Sequence, residues 1–274
     1  MKVFIDQTKP KLGDTQYNLN MILETVEKAI GEKNDIVVFP ELTLTGHNLE
    51  DITFDVGIEN VPEILLEKSR EIDIIFGCVE AGESDYPYNT AYYLSKGKII
   101  GKHRKVYLSN YGGNCESRCF MSGDGFESIH TEFGKVGILI GDEIFHQSAQ
   151  YILAQQGIKY LFVLVNGVAK LGAVKEDIGK NIKTAAKANS LLNGVFTVVV
   201  NRTGIEDGAV FYGNSFVVMP DGEICAQGKY FENSGLSCCL DTGAIRRMRM
   251  AFPFFKNEDI RLTIGELKSI IKKI

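Results

Sequence analysis

No run of 18 or more apolar residues occurs in the 274-residue chain, which excludes a helical membrane span. Basic excess is also missing. Lys and Arg total 30 against 35 Asp and Glu, a net charge of −5, so no basic field exists to hold nucleic acid or anionic lipid. The opening stretch Met1-Lys2-Val3-Phe4-Ile5-Asp6 reaches charge too soon for a secretion signal. Low-complexity linkers and repeats of fixed period are absent. The six cysteines, Cys78, Cys115, Cys119, Cys225, Cys238 and Cys239, do not have disulfide-framework spacing. Thiols in a reducing cytoplasm are the expectation, with Cys78, inside an apolar run, a small core residue. Neither nucleic acid nor membrane is expected as a partner.

What is present is globular usage: 45% hydrophobic and 24% charged residues, over a length that one large α/β domain spanning 1–274 accommodates. Apolar runs predict strands at Val3–Ile5, Ile36–Phe39, Ile72–Val79, Val136–Ile140, Tyr160–Val165 and Val195–Asn201. Asp14 caps a helix whose apolar face is Leu19, Ile22, Leu23, Val26, Ala29 and Ile30. Further helices are expected over 61–68, 147–156, 176–192 and 265–274. Asn89–Leu94 and Ile99–Lys105 flank Lys96-Gly97 as a hairpin, and three strands near 214–219, 223–227 and 236–240 follow, with Pro220-Asp221-Gly222 as a turn. Strands that bear helices, with hairpins among them, imply layered α/β packing.

Three strand ends collect polar residues, and such ends are where open α/β sheets bind ligands. Phe39-Pro40-Glu41 places a carboxylate after a buried strand, where desolvation raises its pKa toward that of a general base; a loop cap is the plainer reading. His103-Arg104-Lys105 ends the hairpin strand, where an ammonium can hold an oxyanion or can be a solvated edge charge. Gly141-Asp142-Glu143 follows Val136-Gly137-Ile138-Leu139-Ile140 as a strand running into a sharp turn, the build of a nucleophile elbow.

Taken together these segments resemble the nitrilase (carbon–nitrogen hydrolase) superfamily. Phe39-Pro40-Glu41-Leu42-Thr43-Leu44-Thr45-Gly46 is similar to its glutamate motif and Arg104-Lys105-Val106-Tyr107-Leu108 to its lysine motif. Leu191–Val195, Asn201-Arg202-Thr203-Gly204, Phe211–Phe216 and Pro220-Asp221-Gly222-Glu223 continue the match in order over about residues 1 to 255. Asn110–Arg118 and Glu50-Asp51 resemble the glutaminase domain of glutamine-dependent NAD synthetases, and no segment similar to their synthetase domain follows before Ile274. The resemblance implies an α/β fold, an α-β-β-α sandwich able to form four layers, and a homodimer or higher homo-oligomer. It also implies a base at Glu41, an oxyanion-holding lysine at Lys105, a second glutamate at Glu116 and the nucleophile position at Gly141. Tyr111, Asp142 and Val168 fall where substrate would bind. No cofactor or metal is implied.

The chain departs from that pattern where the family has its nucleophilic cysteine. Gly141 has no side chain and cannot form an acyl intermediate; removing a nucleophile costs about 10⁶-fold in turnover in a well-studied protease. An elbow holds its residue in a strained backbone, and glycine, tolerant of positive φ, relieves that strain once selection for chemistry lapses. Val168-Ala169 also replaces a small pair, often Ser-Pro, that lines the family's pocket. Cys115 and Cys119 flank Glu116, but attack requires placement within about 3–3.5 Å, which a glycine-rich loop holds poorly. A metal at this pair lacks a second ligand pair, and Cys238-Cys239 is expected only to pack. His146 reads as a loop or cap residue, and Arg246-Arg247-Met248-Arg249 as a solvated face first and a dimer contact second.

Three functions follow from these readings. The first is a degenerate amidase or glutaminase-like protein that still takes a small amide or carboxylate. The second is an active amide hydrolase whose cysteine has been substituted, and the third a non-catalytic interaction subunit.

Overall fold

The structure is a computed structural model that describes residues 1–82, 86–111, 115–169 and 179–273. The first half runs β1 (Lys2–Gln7), α1 (Thr15–Gly31), β2 (Ile36–Val38), α2 (Glu63–Lys68), β3 (Asp73–Glu80), β4 (Tyr88–Ser95) and β5 (Lys98–Arg104). The second half begins with β6 (Ile129–Thr131), β7 (Gly134–Ile140), α3 (Gln147–Gln155), β8 (Tyr160–Val165), α4 (Lys180–Asn193) and β9 (Phe196–Asn201). It continues through β10 (Thr203–Glu206), β11 (Ala209–Tyr212), β12 (Phe216–Val218), β13 (Ile224–Gln227), β14 (Ser234–Cys239), α5 (Thr242–Ala251), α6 (Phe254–Asn257) and α7 (Ile260–Ile271).

Among the described residues the strands form two six-stranded sheets, ordered β14-β1-β2-β3-β4-β5 and β13-β12-β9-β8-β7-β6, beside the β10–β11 hairpin. The centre of each sheet is parallel, β1-β2-β3 in one and β7-β8-β9 in the other, because helices carry the chain back between those strands. The edges are antiparallel; β4 and β5 are joined by a tight turn at Lys96 and Gly97, both with positive φ, whereas β14 returns from the far end of the chain to pair with β1.

Alternation along each strand sorts the side chains into three cores. Val3 and Ile5 of β1, with Ile36 and Val38, meet Ile138, Ile140, Phe162 and Val198 between the sheets. Phe4, Val37 and Phe76 face the other way, onto Ile22, Val26 and Leu65 of α1 and α2. Leu139, Leu161 and Val163 pack on Ala149, Leu153 and Ala186 of α3 and α4. The layers are therefore helix, sheet, sheet, helix.

Several boundaries differ from the sequence reading for identifiable reasons. The helix expected from residue 61 begins at Glu63, because Val61 precedes Pro62 and proline pushes its predecessor out of the helical region. The last helix begins at Ile260 rather than Gly265, since Asp259 accepts from the main-chain N–H groups of Arg261 and Leu262 as a cap. The helix expected from 176 is described as Lys180–Asn193, and 176–178 lie outside the described residues. The basic run 246–249 lies on α5, which Asp241 caps. Cys78 is buried as expected, and the sulfurs of Cys225 and Cys238 come within 3.7 Å where β13 and β14 meet. No helix among the described residues is long and apolar enough to cross a membrane.

One close approach joins the fold to the site. A Cβ on Gly77, in the middle of β3, would stand 2.5 Å from the Leu42 main-chain nitrogen and 3.0 Å from the Glu41 Cα. Both are backbone atoms and neither can swing aside, so glycine at 77 lets the Glu41 loop lie flat on the sheet. Gly77→Ala is expected to cost about 1–3 kcal/mol, the usual penalty for forcing atoms into a filled space. Urea unfolding measures it, and an unchanged midpoint and slope would mean that the loop is not clamped there.

Candidate active site

The chain delivers polar groups to one end of the crevice between the sheets. Glu41 follows β2, and Lys105 and Gly141 come directly after β5 and β7. Glu116 begins a single 3-10 turn, Glu116–Arg118. The Lys105 main-chain N–H donates to the Asn89 carbonyl at 2.8 Å, and that of Leu44 to the Gly77 carbonyl at 3.1 Å, so both loops are stitched to strands. Leu42 has φ +49, a left-handed conformation that turns the chain back immediately after Glu41.

These backbones bring three of the expected residues into contact. Lys105 Nζ lies 3.1 Å from Glu41 Oε1 and 2.8 Å from Glu116 Oε1, and all three side chains are largely shielded from solvent. Asn89 Nδ2 donates to Glu41 Oε1 at 2.8 Å, and the Ser109 main-chain N–H to Glu116 Oε2 at 2.7 Å. A third acid closes the ring: Ser109 Oγ donates to Asp142 Oδ2 at 2.6 Å. Burial would push the Lys105 ammonium toward neutrality, but Glu41 and Glu116 outweigh it and hold its pKa above the ordinary lysine value. Burial raises that of Glu116 despite Lys105, with Glu41 adding repulsion.

Gly141 stands at the centre of this group. Its φ is +57, and an ideal Cβ there would lie 2.8 Å from Lys105 Nζ and 3.3 and 3.4 Å from the two Glu41 carboxylate oxygens. Any side chain at 141 would point at the ammonium and the first acid. The turn Gly141–Phe145 is fixed from beneath by Glu143, which is fully buried. Glu143 accepts the Ile140 main-chain N–H at 2.7 Å and pairs with His103 Nε2 at 2.7 Å. Its other oxygen accepts the Val106 main-chain N–H at 2.7 Å, tying the lysine loop to the elbow.

Val168 stands apart from that constellation. It makes a bridge with Phe211 and is 45% exposed, and no contact joins it to Glu41, Lys105 or Glu116. Its neighbour Asn166 does reach the site, donating through Nδ2 to the Glu41 carbonyl at 3.0 Å and lying 3.0 Å from His47 Nδ1. Cys119 Sγ turns to the Glu50 carbonyl at 3.5 Å, Cys115 is exposed, and His146 caps α3 with its ring stacked on Tyr107.

Asn89, Ser109 and His47 are the contributors that strand-end reasoning leaves out. His47 is half-buried, and its main-chain N–H and that of Asn48 donate to Glu206, which pairs with the buried Arg202 at 2.7 Å. The motif residues Asn201 and Arg202 thus support the loop behind Glu41. Asn201 accepts the Gly167 N–H at 2.8 Å and donates to the Gly213 carbonyl.

Two outcomes follow from the electrostatics. Lys105→Met leaves two buried carboxylates facing each other, and unfolding at pH 7 is expected to be easier by about 3–5 kcal/mol; a variant as stable as the parent would contradict the buried pairing. Burial, aided by Lys105, lowers the His47 pKa to about 4. Its folded value lies below its unfolded one, so the stability linked to His47 is present above about pH 6.5 and is lost as pH falls toward 4. Asp6, raised to about 7 by burial, gives the opposite slope over part of the same range. The comparison is therefore between parent and His47→Gln, with the shallower acid-side loss expected in the variant.

Comparison with known proteins gives this geometry a context. The chain is 28% identical over 264 residues to the glutamine-dependent NAD(+) synthetase of Thermotoga maritima, covering 92% of this chain and 44% of that protein. It is 26% identical over 269 residues to an (R)-stereoselective amidase of a Pseudomonas species, covering 96% and 93% of the two. The chain spans less than half the length of the NAD(+) synthetases it matches. In fold it is similar to a carbon-nitrogen hydrolase of Helicobacter pylori, with a TM-score of 0.83, 22% identity and 97% and 98% of the chains covered. Residues 3–250 match the carbon-nitrogen hydrolase family, and the chain belongs to that family.

Proposed function

We propose that the protein is an amidase- or glutaminase-like carbon-nitrogen hydrolase that binds a small amide or carboxylate but has lost C–N bond cleavage at an enzymatic rate. In this reading Glu41 is the former general base, Lys105 holds the oxyanion, Glu116 positions the lysine, and position 141 is the nucleophile's place. The observation that carries it is the direction of the missing side chain, whose Cβ would approach Lys105 Nζ to 2.8 Å and Glu41 to 3.3 Å. A thiolate there would stand next to a base able to take its proton and an ammonium able to stabilise the oxyanion. Without it, water activated by Glu41 is the remaining nucleophile. It would not be tethered, and so would forgo the rate advantage that fixed placement supplies. Tyr111 and Asp142, at the rim, would contact the ligand.

A second reading, a non-catalytic interaction subunit, draws support from α7, where Leu262, Leu267 and Ile271 are more than half exposed. Thermal melting with amides separates the two, because a ligand that binds only the folded state raises the melting temperature.

Ammonia release from glutamine and from simple aliphatic amides is the direct measurement. The parent is expected to stay at background. Gly141→Cys is expected to gain a weak activity that Glu41→Gln and Lys105→Met each abolish. Its weakness would follow from Val168 and Ala169 replacing the pocket-lining pair. Turnover by the parent at enzymatic rates would overturn the proposal, and full recovery in the cysteine variant would show an undegraded pocket.

A further inference from the structure

A cleft of about 640 Å³ lies far from the elbow and has no part in the site above. It is lined by Lys159, which precedes β8, and by residues of α5, α6 and the link between them. β7 and β8 are parallel and Gly141 follows the far end of β7. The cleft therefore sits at the opposite end of the strands, about 20 Å away for a strand of six residues.

The lining has an unusual charge for this chain. Lys159, Arg246, Arg249 and Lys256 contribute four cations, and none of the lining residues is acidic, although acids outnumber bases in the whole sequence. Lys159, Arg246 and Lys256 enter no ion pair among the described residues. Asp241, the acid that caps α5, is engaged by the Gly243 main-chain N–H at 2.8 Å and by Arg247 at 3.0 Å. Arg249 is held without a carboxylate. It donates to the carbonyls of Gly194 at 3.1 Å and Ile158 at 2.9 Å, and its guanidinium lies 5.0 Å from the Phe255 ring centre. The remaining wall is apolar, from Ile245, Met250, Pro253 and Phe255.

Cations without carboxylate partners beside an apolar wall, in a volume within the range of about 300–1,000 Å³ typical of small-molecule sites, are complementary to one kind of ligand. We propose that this cleft binds a small organic anion, with a phosphate or carboxylate head between Arg246, Lys159 and Lys256 and an apolar or aromatic body against Phe255 and Ile245. The anion supplies the carboxylate-like partners that the cations lack. Arg249, pinned by main-chain carbonyls, offers a fixed positive charge without the ordering cost of a free side chain.

Calorimetric titration of the whole chain with AMP and, separately, with octanoate tests the proposal and distinguishes a phosphate on an aromatic body from a carboxylate on an aliphatic one. At least one probe is expected to bind at one site per chain and to weaken as sodium chloride rises. The double variant Arg246→Glu/Lys256→Glu should weaken that binding by about tenfold or more, a loss of about 1.4 kcal/mol. Both side chains are exposed, so the variant should melt with the parent. The control Lys33→Glu/Lys98→Glu, with the same change in net charge elsewhere, should bind as the parent does. Binding of neither probe, or equal weakening in both double variants, overturns the assignment. So does loss of self-association in Arg246→Glu/Lys256→Glu without any probe binding, which would make this face a contact between copies of the chain.

Discussion

One buried ammonium organises this molecule's functional end. Lys105 Nζ touches Glu41 and Glu116 at 3.1 and 2.8 Å, and each of those acids is fixed by a further donor, Asn89 for the first and Ser109 for the second. Two carboxylates brought together in a dry place repel each other, and burial works against the charge on Lys105 and on Glu116. The lysine makes the arrangement tenable, and the arrangement keeps the lysine charged. Because Glu41 comes from a loop on the first sheet, Lys105 from that sheet's far edge and Glu116 from a separate turn, this cluster also fixes where the loops lie. On the proposed reading its retention beside Gly141 has a physical sense, since a framework that supports packing is maintained by stability.

The second constraint lies beneath the cluster. Glu143 connects the elbow to the lysine loop: one carboxylate oxygen meets the Ile140 main-chain N–H and His103 Nε2, and the other accepts the Val106 main-chain N–H. On the other side, Glu206 holds the main chain of His47 and Asn48 while pairing with Arg202. Neither acid faces the centre of the site. Each converts a loop that would otherwise sample many conformations into a rigid wall, which is what a preorganised binding site requires. The burial of His47 in that wall makes the wall sensitive to acid.

Much of this was legible in the sequence, through a single rule. Glu41, Lys105 and Gly141 each follow a strand that reads as an apolar run or a hairpin arm, and strand ends of an α/β sheet gather ligands. Asn166 satisfies the same rule at the end of β8, and its contact with the Glu41 carbonyl shows that the rule reaches further than the acids and the lysine. Glu116 was legible only by resemblance, since a glutamate in a glycine-rich loop has no local signal. Asn89 was not legible at all. It lies within a strand, and its approach to Glu41 depends on pairing of β4 with β3, where it stands opposite Val79. Such partnerships are properties of register, which composition and periodicity do not contain. Val61 shows the converse, a local rule about the residue before proline overriding a helical apolar pattern.

The backbone at 141 explains why so small a residue fits so demanding a place. At φ +57 every residue but glycine carries strain of about 1–3 kcal/mol, and an enzyme bears that strain because the side chain it presents performs the chemistry. On the proposed reading, that justification has gone while the turn remains, because Glu143 fixes the turn independently of what 141 carries. Glycine then keeps the same path at lower cost, and the ammonium and carboxylate remain poised around the space a thiol would occupy. The reverse change would require the elbow to accept strain again and Lys105 Nζ, 2.8 Å from the new Cβ, to move back. A lysine tip can move by that amount on its flexible stem, so the geometry at 141 does not by itself block the return of the nucleophile. On the proposed reading the obstacle lies instead at Val168 and Ala169, where the small pocket-lining pair is replaced.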